Sequence, residues 1–471
     1  MRDEMRRGVV GLIVVAGALA WMGLSVAPAG AATAPQESKE VVVSQNLVPN
    51  PGFEEVTEGR PVGWKTGAPR LEIAPSFARD TSVAHSGSCS LLIAGNGSAG
   101  VVGWVSAQCP GVTAGKSYEL AAYVRAEGVE SLHASAWAKL TWQRPGTDEF
   151  PRVAYLNSVT REGEWWRFAG TLRAPEEAVS AEVTLGLRHA PQGSLWWDDI
   201  SLREAPSPAP RHVRLATTYL PSDQHLDPQA WRSLIEKAGE GKADVVCLGE
   251  MVNVAPGAEL EAHPTIPGPA TEALGELARR YQMMIIASVP EWQGDLWYNT
   301  AVIIGKDGRL IGRYRKTHLP QTEVEAGSAA GATLPVFDTE IGRIGAQICY
   351  DQFFPEVTRT FALKGAEIVF TPIWGDGRSE GKALDAVARA RALDNSLFYV
   401  TSTYGGRSLI IDPSGTILAD TAGTPGVVFA DVDLDAPRYE PWLSVTGQAE
   451  FRTLWPKERR PSLYGSITED R

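Results

Sequence analysis

Cysteine is scarce in this chain: four residues in 471, at positions 89, 109, 247 and 349, with no C-x-x-C pair. No H-E-x-x-H occurs either. These absences argue against a zinc site, and no cofactor or metal is expected. Positive charge is also in short supply, with 44 Lys and Arg against 56 Asp and Glu and a net charge of −12. That balance argues against nucleic acid and anionic membrane as partners and favours solubility. Long apolar runs are absent after the first 32 residues, so nothing beyond them is built to cross a bilayer.

What the N-terminus does contain is a targeting pattern. Arg2, Arg6 and Arg7 form a positive region, Val9–Leu24 an apolar run, and Ala29-Gly30-Ala31 a small-residue cleavage site. A retained membrane anchor is the competing reading, but the run is short for a span of about 20 residues. Residues 1–32 are therefore expected to be a signal peptide cleaved near Ala31, which places the mature chain in the periplasm or outside the cell. Residues 33–45 form a polar linker.

From Asn46 to Glu204 short runs are separated by Gly, Pro, Ser and Asn. Tyr118–Ala126, Leu132–Trp142, Trp165–Ala174 and Ser180–His189 each alternate apolar with polar or small residues. That period of two predicts half-buried antiparallel strands, and no helical-period segment interrupts them. An all-β sandwich is expected. Eight tryptophans fall here, at 64, 104, 137, 142, 165, 166, 196 and 197. They suit either core packing or stacking on sugar rings. Asp198 and Asp199 admit two readings, a calcium site or a solvated strand end. Cys89 and Cys109 are candidates for a disulfide in an exported domain.

Residues 205–211 are a Pro-rich, extended linker and mark the clearest boundary in the chain. Beyond it, in residues 212–471, the texture becomes strand, helix, strand. Asp227-Pro228 is an N-cap followed by proline, and Trp231, Leu234, Ile235 and Ala238 follow at helical spacing. Pro269 opens another helix with Leu274, Leu277, Ala278 and Tyr281 on one face. Strand-like runs apolar enough to be covered on both sides alternate with these helices, which predicts an α/β sheet with helices on it.

Three stretches of this half carry reactive groups at or just beyond predicted strand ends, where open α/β sheets collect ligands. ADVVCLGE ends on Glu250, YRKTHLP contains Lys316, and RIGAQICYDQFFPE contains Cys349 before a helix opened by Pro355. A cysteine at a strand-to-turn junction, near main-chain N–H groups and a helix start, is a candidate thiolate nucleophile; a buried core thiol is the competing reading.

The order Glu250, Lys316, Cys349, with Arg459–Tyr464 near the end, resembles the nitrilase superfamily of carbon–nitrogen hydrolases over residues 213–465. The resemblance implies an αββα sandwich, a homo-oligomer and a Glu-Lys-Cys catalytic set: Cys349 as nucleophile, Glu250 as proton carrier, and Lys316 with the Tyr350 N–H as oxyanion donors. It also implies a second glutamate, either Glu323 or Glu325. Trp374 is expected at the pocket mouth, with His318 orienting the lysine loop. Gly249 stands where relatives usually carry proline, and Ala330-Gly331 where they carry a PG pair. Asn46–Glu55, Ala84–Ile93 and Leu195–Leu202 more loosely resemble jelly-roll carbohydrate-binding modules, which implies glycan contact through the N-terminal domain.

The expected activity is hydrolysis of a small-molecule amide or N-carbamoyl (ureide) bond through a Cys thioester. Acyl transfer to an amine would use the same residues. A glycan-binding protein with a degenerate hydrolase domain is disfavoured because all three reacting groups are present.

Overall fold

A computed structural model describes residues 44–144, 151–225, 227–252, 263–375, 382–443 and 448–469. The signal-peptide reading and most of the linker after it lie outside the described residues.

The alternating runs of the N-terminal half become two antiparallel layers. One sheet runs in the spatial order Ser158–Glu162, Trp165–Arg173, Ser117–Glu127, Ser194–Ala205, Ser90–Ala94, Ser76–Asp80. The other begins with Trp64–Gly67, Val102–Pro110, Ser180–Arg188, Ala136–Gln143 and Arg152–Tyr155. One apolar cluster draws on both: Leu120, Ala122, Val124 and Trp197 from the first, Val105, Leu140, Val183 and Leu185 from the second. The period of two is what brings these residues to a shared interior.

Local chemistry shifts one boundary. Leu132–Ser135 forms a single helical turn, because the Ser131 hydroxyl accepts the Ala134 N–H and caps it; the strand begins only at Ala136. Six of the eight tryptophans are buried, and Trp104 and Trp166 are half-buried, so these rings are largely taken up in packing. Cys89 and Cys109 are separate buried thiols, not a disulfide. Cys89 instead faces the Gly52 and Phe53 carbonyls. Asp198 is not a solvated strand end: it is fully buried and accepts the N–H groups of His85, Ser86 and Asp199. Burial pushes its pKa up to about 6 despite those donors.

The second half is a mixed α/β fold. Its strands follow the spatial order Leu310–Arg315, Leu296–Ile304, Met284–Gln293, Val245–Cys247, His212–Tyr219, Phe398–Thr403, Ile368–Ile373, Gly342–Ala346, Val336–Thr339. The link in the middle is a single pair, Tyr219 with Thr403, so the strands divide into two halves at that point. Alternate residues then separate cleanly. Leu215, Val245, Cys247, Met284 and Ile286 pack into a cluster shared with Ile344, Ala346, Ile368 and Phe370 of the other half. Ala216, Val246, Leu248, Ile285 and Ala287 pack instead with Trp231, Leu234, Ile235 and Ala238 of helix Pro228–Glu240 and with Leu274, Leu277 and Ala278 of helix Pro269–Tyr281. On the far side Val357, Phe361, Ala388 and Ala392 of helices Pro355–Leu363 and Lys382–Asn395 cover the other strands. The layers are helix, sheet, sheet, helix. The predicted N-cap is in place, with the Asp227 carboxylate accepting the Gln229 N–H ahead of Pro228.

The Pro-rich linker is not the only join between the halves. C-terminal strands Gln448–Glu450 and Tyr439–Glu440 extend the second sheet of the sandwich, Gln448 and Ala449 pairing in parallel with Arg152 and Val153. Helix Phe451–Glu458 then lies against the same sheet: Lys457 donates to the Ala136 carbonyl and Glu458 pairs with Arg188 at 2.9 Å. Its Trp455 ring is covered by Arg359 of helix Pro355–Leu363, 4.4 Å away.

Candidate active site

Glu250, Lys316 and Cys349 lie far apart in sequence, and the folded chain brings all three together. Each is delivered by the end of a strand. Val245–Cys247 stops three residues before Glu250, Leu310–Arg315 ends immediately before Lys316, and Gly342–Ala346 runs toward Cys349.

The Glu250 carboxylate is buried and fully engaged. Its Oε1 accepts from Lys316 Nζ at 2.9 Å and from Asn299 Nδ2 at 2.7 Å, and its Oε2 accepts the Trp374 N–H at 2.7 Å. Its negative charge acts on the Cys349 thiol and raises the thiol pKa. Lys316 is 1% exposed and donates as well to Glu323 Oε1 at 2.5 Å. Burial alone would lower the lysine pKa; Glu250, Cys349 and Glu323 outweigh that and hold it above the ordinary value, so the ammonium persists.

Cys349 opens a short 3-10 turn, Cys349–Phe353, with φ of +46°. A non-glycine residue in the left-handed region is uncommon and is typical of side chains presented at functional turns. The thiol differs from the expected stabilised thiolate. Burial pushes its pKa up and Glu250 adds to this, against the opposing pull of Lys316 and the Trp374 N–H. The resting nucleophile is a protonated thiol beside a carboxylate, which requires the proton to leave as the sulfur attacks. Tyr350 is the next residue, in the first positions of that turn, where main-chain N–H groups lack partners inside the helix.

Between the two candidate second glutamates the geometry discriminates. Glu323 touches Lys316, whereas Glu325 accepts from Gln321 at 3.3 Å on an exposed face. Glu323 Oε2 is buried and has no hydrogen-bond partner among the described residues. Burial raises the Glu323 pKa, and Lys316 opposes that shift. An orphaned carboxylate oxygen beside the lysine is free to meet a substrate nitrogen.

Trp374 is 41% exposed at the edge of the site, its ring 4.5 Å from His225 and 5.2 Å from Tyr404. His318 donates its N–H to Asp351 at 2.9 Å and stacks on Phe354 at 3.8 Å. Asp351 is fully buried and ties the two loops together, accepting also from Tyr314, Thr317 and the Ile348 N–H. Sequence reasoning missed Asn299, Ser288 and Tyr404. Asn299 had a signal, a lone amide inside the apolar run YNTAVIIG. Its Nδ2 holds Glu250 while its Oδ1 accepts from Ser288 Oγ. The sequence also points to two pocket-shaping loops, Val252–Pro267 and Gly375–Lys382, of which residues 253–262 and 376–381 lie outside the described residues.

A four-layer α/β fold that gathers a thiol, an ammonium and carboxylates at its strand ends is the architecture of a nitrilase-like hydrolase. Residues 216–438 match the carbon-nitrogen hydrolase family. Omega-amidase NIT2-B of Xenopus laevis is 30% identical over 254 residues, 49% of this chain and 88% of its own length. The chloroplastic omega-amidase of Arabidopsis thaliana is 30% identical over 298 residues, 56% of this chain and 78% of its own. An amidase from Nesterenkonia sp. AN1, solved in complex with acrylamide, aligns at 22% identity with a TM-score of 0.46, covering 56% of this chain and all of that one (100%). The chain belongs to the carbon-nitrogen hydrolase family, and its function is of the amidase type. Residues 44–205 precede the matched region.

Proposed function

We propose that the protein is an exported amidase that cleaves a non-peptide C–N bond, in an amide or an N-carbamoyl (ureide) substrate, through a thioester on Cys349. The observation that carries this reading is the single cluster of a half-buried thiol, a buried carboxylate whose charge acts on it, and an ammonium held between two carboxylates.

The chemistry follows from those positions. As the Cys349 sulfur attacks the substrate carbonyl carbon, its proton passes to Glu250. The C=O π pair moves onto oxygen, and the resulting oxyanion is stabilised by Lys316 and the Tyr350 N–H. Collapse of this intermediate breaks the C–N bond, and Glu250 returns the proton to the departing amine. Water then attacks the thioester, giving its proton to Glu250; collapse expels the Cys349 sulfur, which recovers that proton, and the acid leaves. Glu323 keeps Lys316 in place and faces the substrate nitrogen. Trp374 forms one wall of the entrance.

The test is ammonia release from a panel of amides, carbamoyl amino acids and nitriles. Amide or ureide turnover that disappears in Cys349→Ala supports the reading. Efficient nitrile conversion with no amide or ureide activity overturns it. Export is checked separately: the N-terminal residue of the mature protein should fall near Ala32.

A further inference from the structure

The structure assigns Tyr404 as a positioning residue for Glu250, acting through a space that Gly249 keeps open. This rests on the reading of Glu250 as the proton carrier. Tyr404 is 3% exposed, and its hydroxyl donates to the main-chain carbonyl of Glu250. A Cβ at position 249 would lie 2.8 Å from Tyr404 Cε1 and Cζ and 2.9 Å from its hydroxyl, closer than real Cβ contacts come. Trp374, His225 and Trp231 surround the Tyr404 ring at centroid distances of 5.2, 5.6 and 5.8 Å. The absence of a side chain at 249 and the presence of a tyrosine at 404 are therefore one feature.

That feature fixes the segment that delivers the proton carrier. Glu250 lies beyond the last paired residue of its strand, between two main-chain bonds to the neighbouring strand: the Ser288 N–H donates to the Gly249 carbonyl at 3.4 Å and the Val252 N–H to the Ser288 carbonyl at 2.8 Å. Met251, with φ of +56°, turns the chain away directly afterwards. Between those two bonds, side chains hold the main chain: Tyr404 on the Glu250 carbonyl, and Ser288 Oγ on the Met251 N–H at 3.2 Å. Burial, with Glu250 adding to it, raises the phenol pKa, so the hydroxyl stays a donor at working pH. Tyr404 touches no reacting atom; it sets where the carboxylate of Glu250 stands relative to the thiol. The cost of misplacing such a group falls on the chemical step.

The experiment compares Tyr404→Phe, Glu250→Gln and the double variant on an amide that the wild type hydrolyses. Tyr404→Phe keeps the ring and removes only the hydroxyl. It should lower kcat about fivefold, equivalent to about one ordinary hydrogen bond, with KM within about twofold and a melting temperature lower by no more than a few degrees. In the double variant, Tyr404→Phe should add nothing to the loss caused by Glu250→Gln, because both act through one group. Gly249→Ala should lower kcat at least as much as Tyr404→Phe, yet add less than about twofold on a Tyr404→Ala background. An unchanged kcat in Tyr404→Phe, alongside a large loss in Glu250→Gln, overturns the inference alone. An unchanged kcat in Glu250→Gln, or no amide turnover by the wild type, removes the reading and the inference together.

Discussion

The Lys316 ammonium sits 2.9 Å from Glu250 with both side chains buried, so neither charge has water to fall back on. Ion pairs of this kind contribute little net stability compared with apolar packing, but removing one partner is expensive, about 3–5 kcal/mol. Lys316→Met would leave Glu250 and Glu323 facing one another without a counter-charge. It should lower kcat/KM by about 10²–10³, the range for losing one oxyanion donor, and also lower the melting temperature. Steady-state kinetics beside calorimetry checks both. Activity within tenfold of wild type would remove Lys316 from the mechanism.

Glu323 and Glu325 make a sharper comparison, being two residues apart and chemically identical. Glu323→Gln weakens a hydrogen bond to a buried ammonium and should cost about ten- to a hundredfold in kcat/KM. Glu325→Gln removes only an exposed contact to Gln321 and should stay within about twofold. The reverse order would place the second glutamate at 325.

Lys457 gives a prediction about pH. It is 2% exposed, its acceptor is the Ala136 carbonyl, and the Phe168 ring lies 5.6 Å away. Burial, with Arg188 adding to it and Glu458 opposing, lowers its pKa from 10.5 to about 7. A depressed folded-state value means that its stability contribution is fully present above the unfolded pKa and is lost as pH falls toward 7. Docking of the C-terminal helix on the sandwich should therefore tighten between pH 7 and 10. Lys457→Met should raise the melting temperature at pH 7 by several degrees, and the gap to wild type should narrow as the pH rises. A gap independent of pH would show that the lysine is not neutral when docked.

Much of this was legible in the chain itself, for identifiable reasons. Asp227-Pro228 and the spacing of Trp231, Leu234, Ile235 and Ala238 state a helix in local chemistry, and the helix is there. The alternation from Tyr118 to His189 states strands in the same way. What could not be read were contacts made by tertiary approach. Gln448–Glu450 is a three-residue strand whose partner, Arg152–Tyr155, lies about 300 positions earlier; no periodicity announces such a pairing. Tyr404 sits in a short turn and acquires its role only because Gly249 arrives beside it. The thiol pKa is raised, against the sequence-based expectation, because burial and Glu250 outweigh the pull of Lys316 and the Trp374 N–H.

The central claim is a covalent intermediate on Cys349, and mass spectrometry of enzyme quenched during turnover tests it most directly. Cys89, Cys109 and Cys247 are buried, so Cys349 is the one cysteine open to reaction. With a hydrolysed amide, the account predicts a mass increase equal to the acyl group less one hydrogen, located on the peptide carrying Cys349 and absent in Cys349→Ala. Sustained amide hydrolysis by Cys349→Ala, or an acyl group on any other residue, would contradict it.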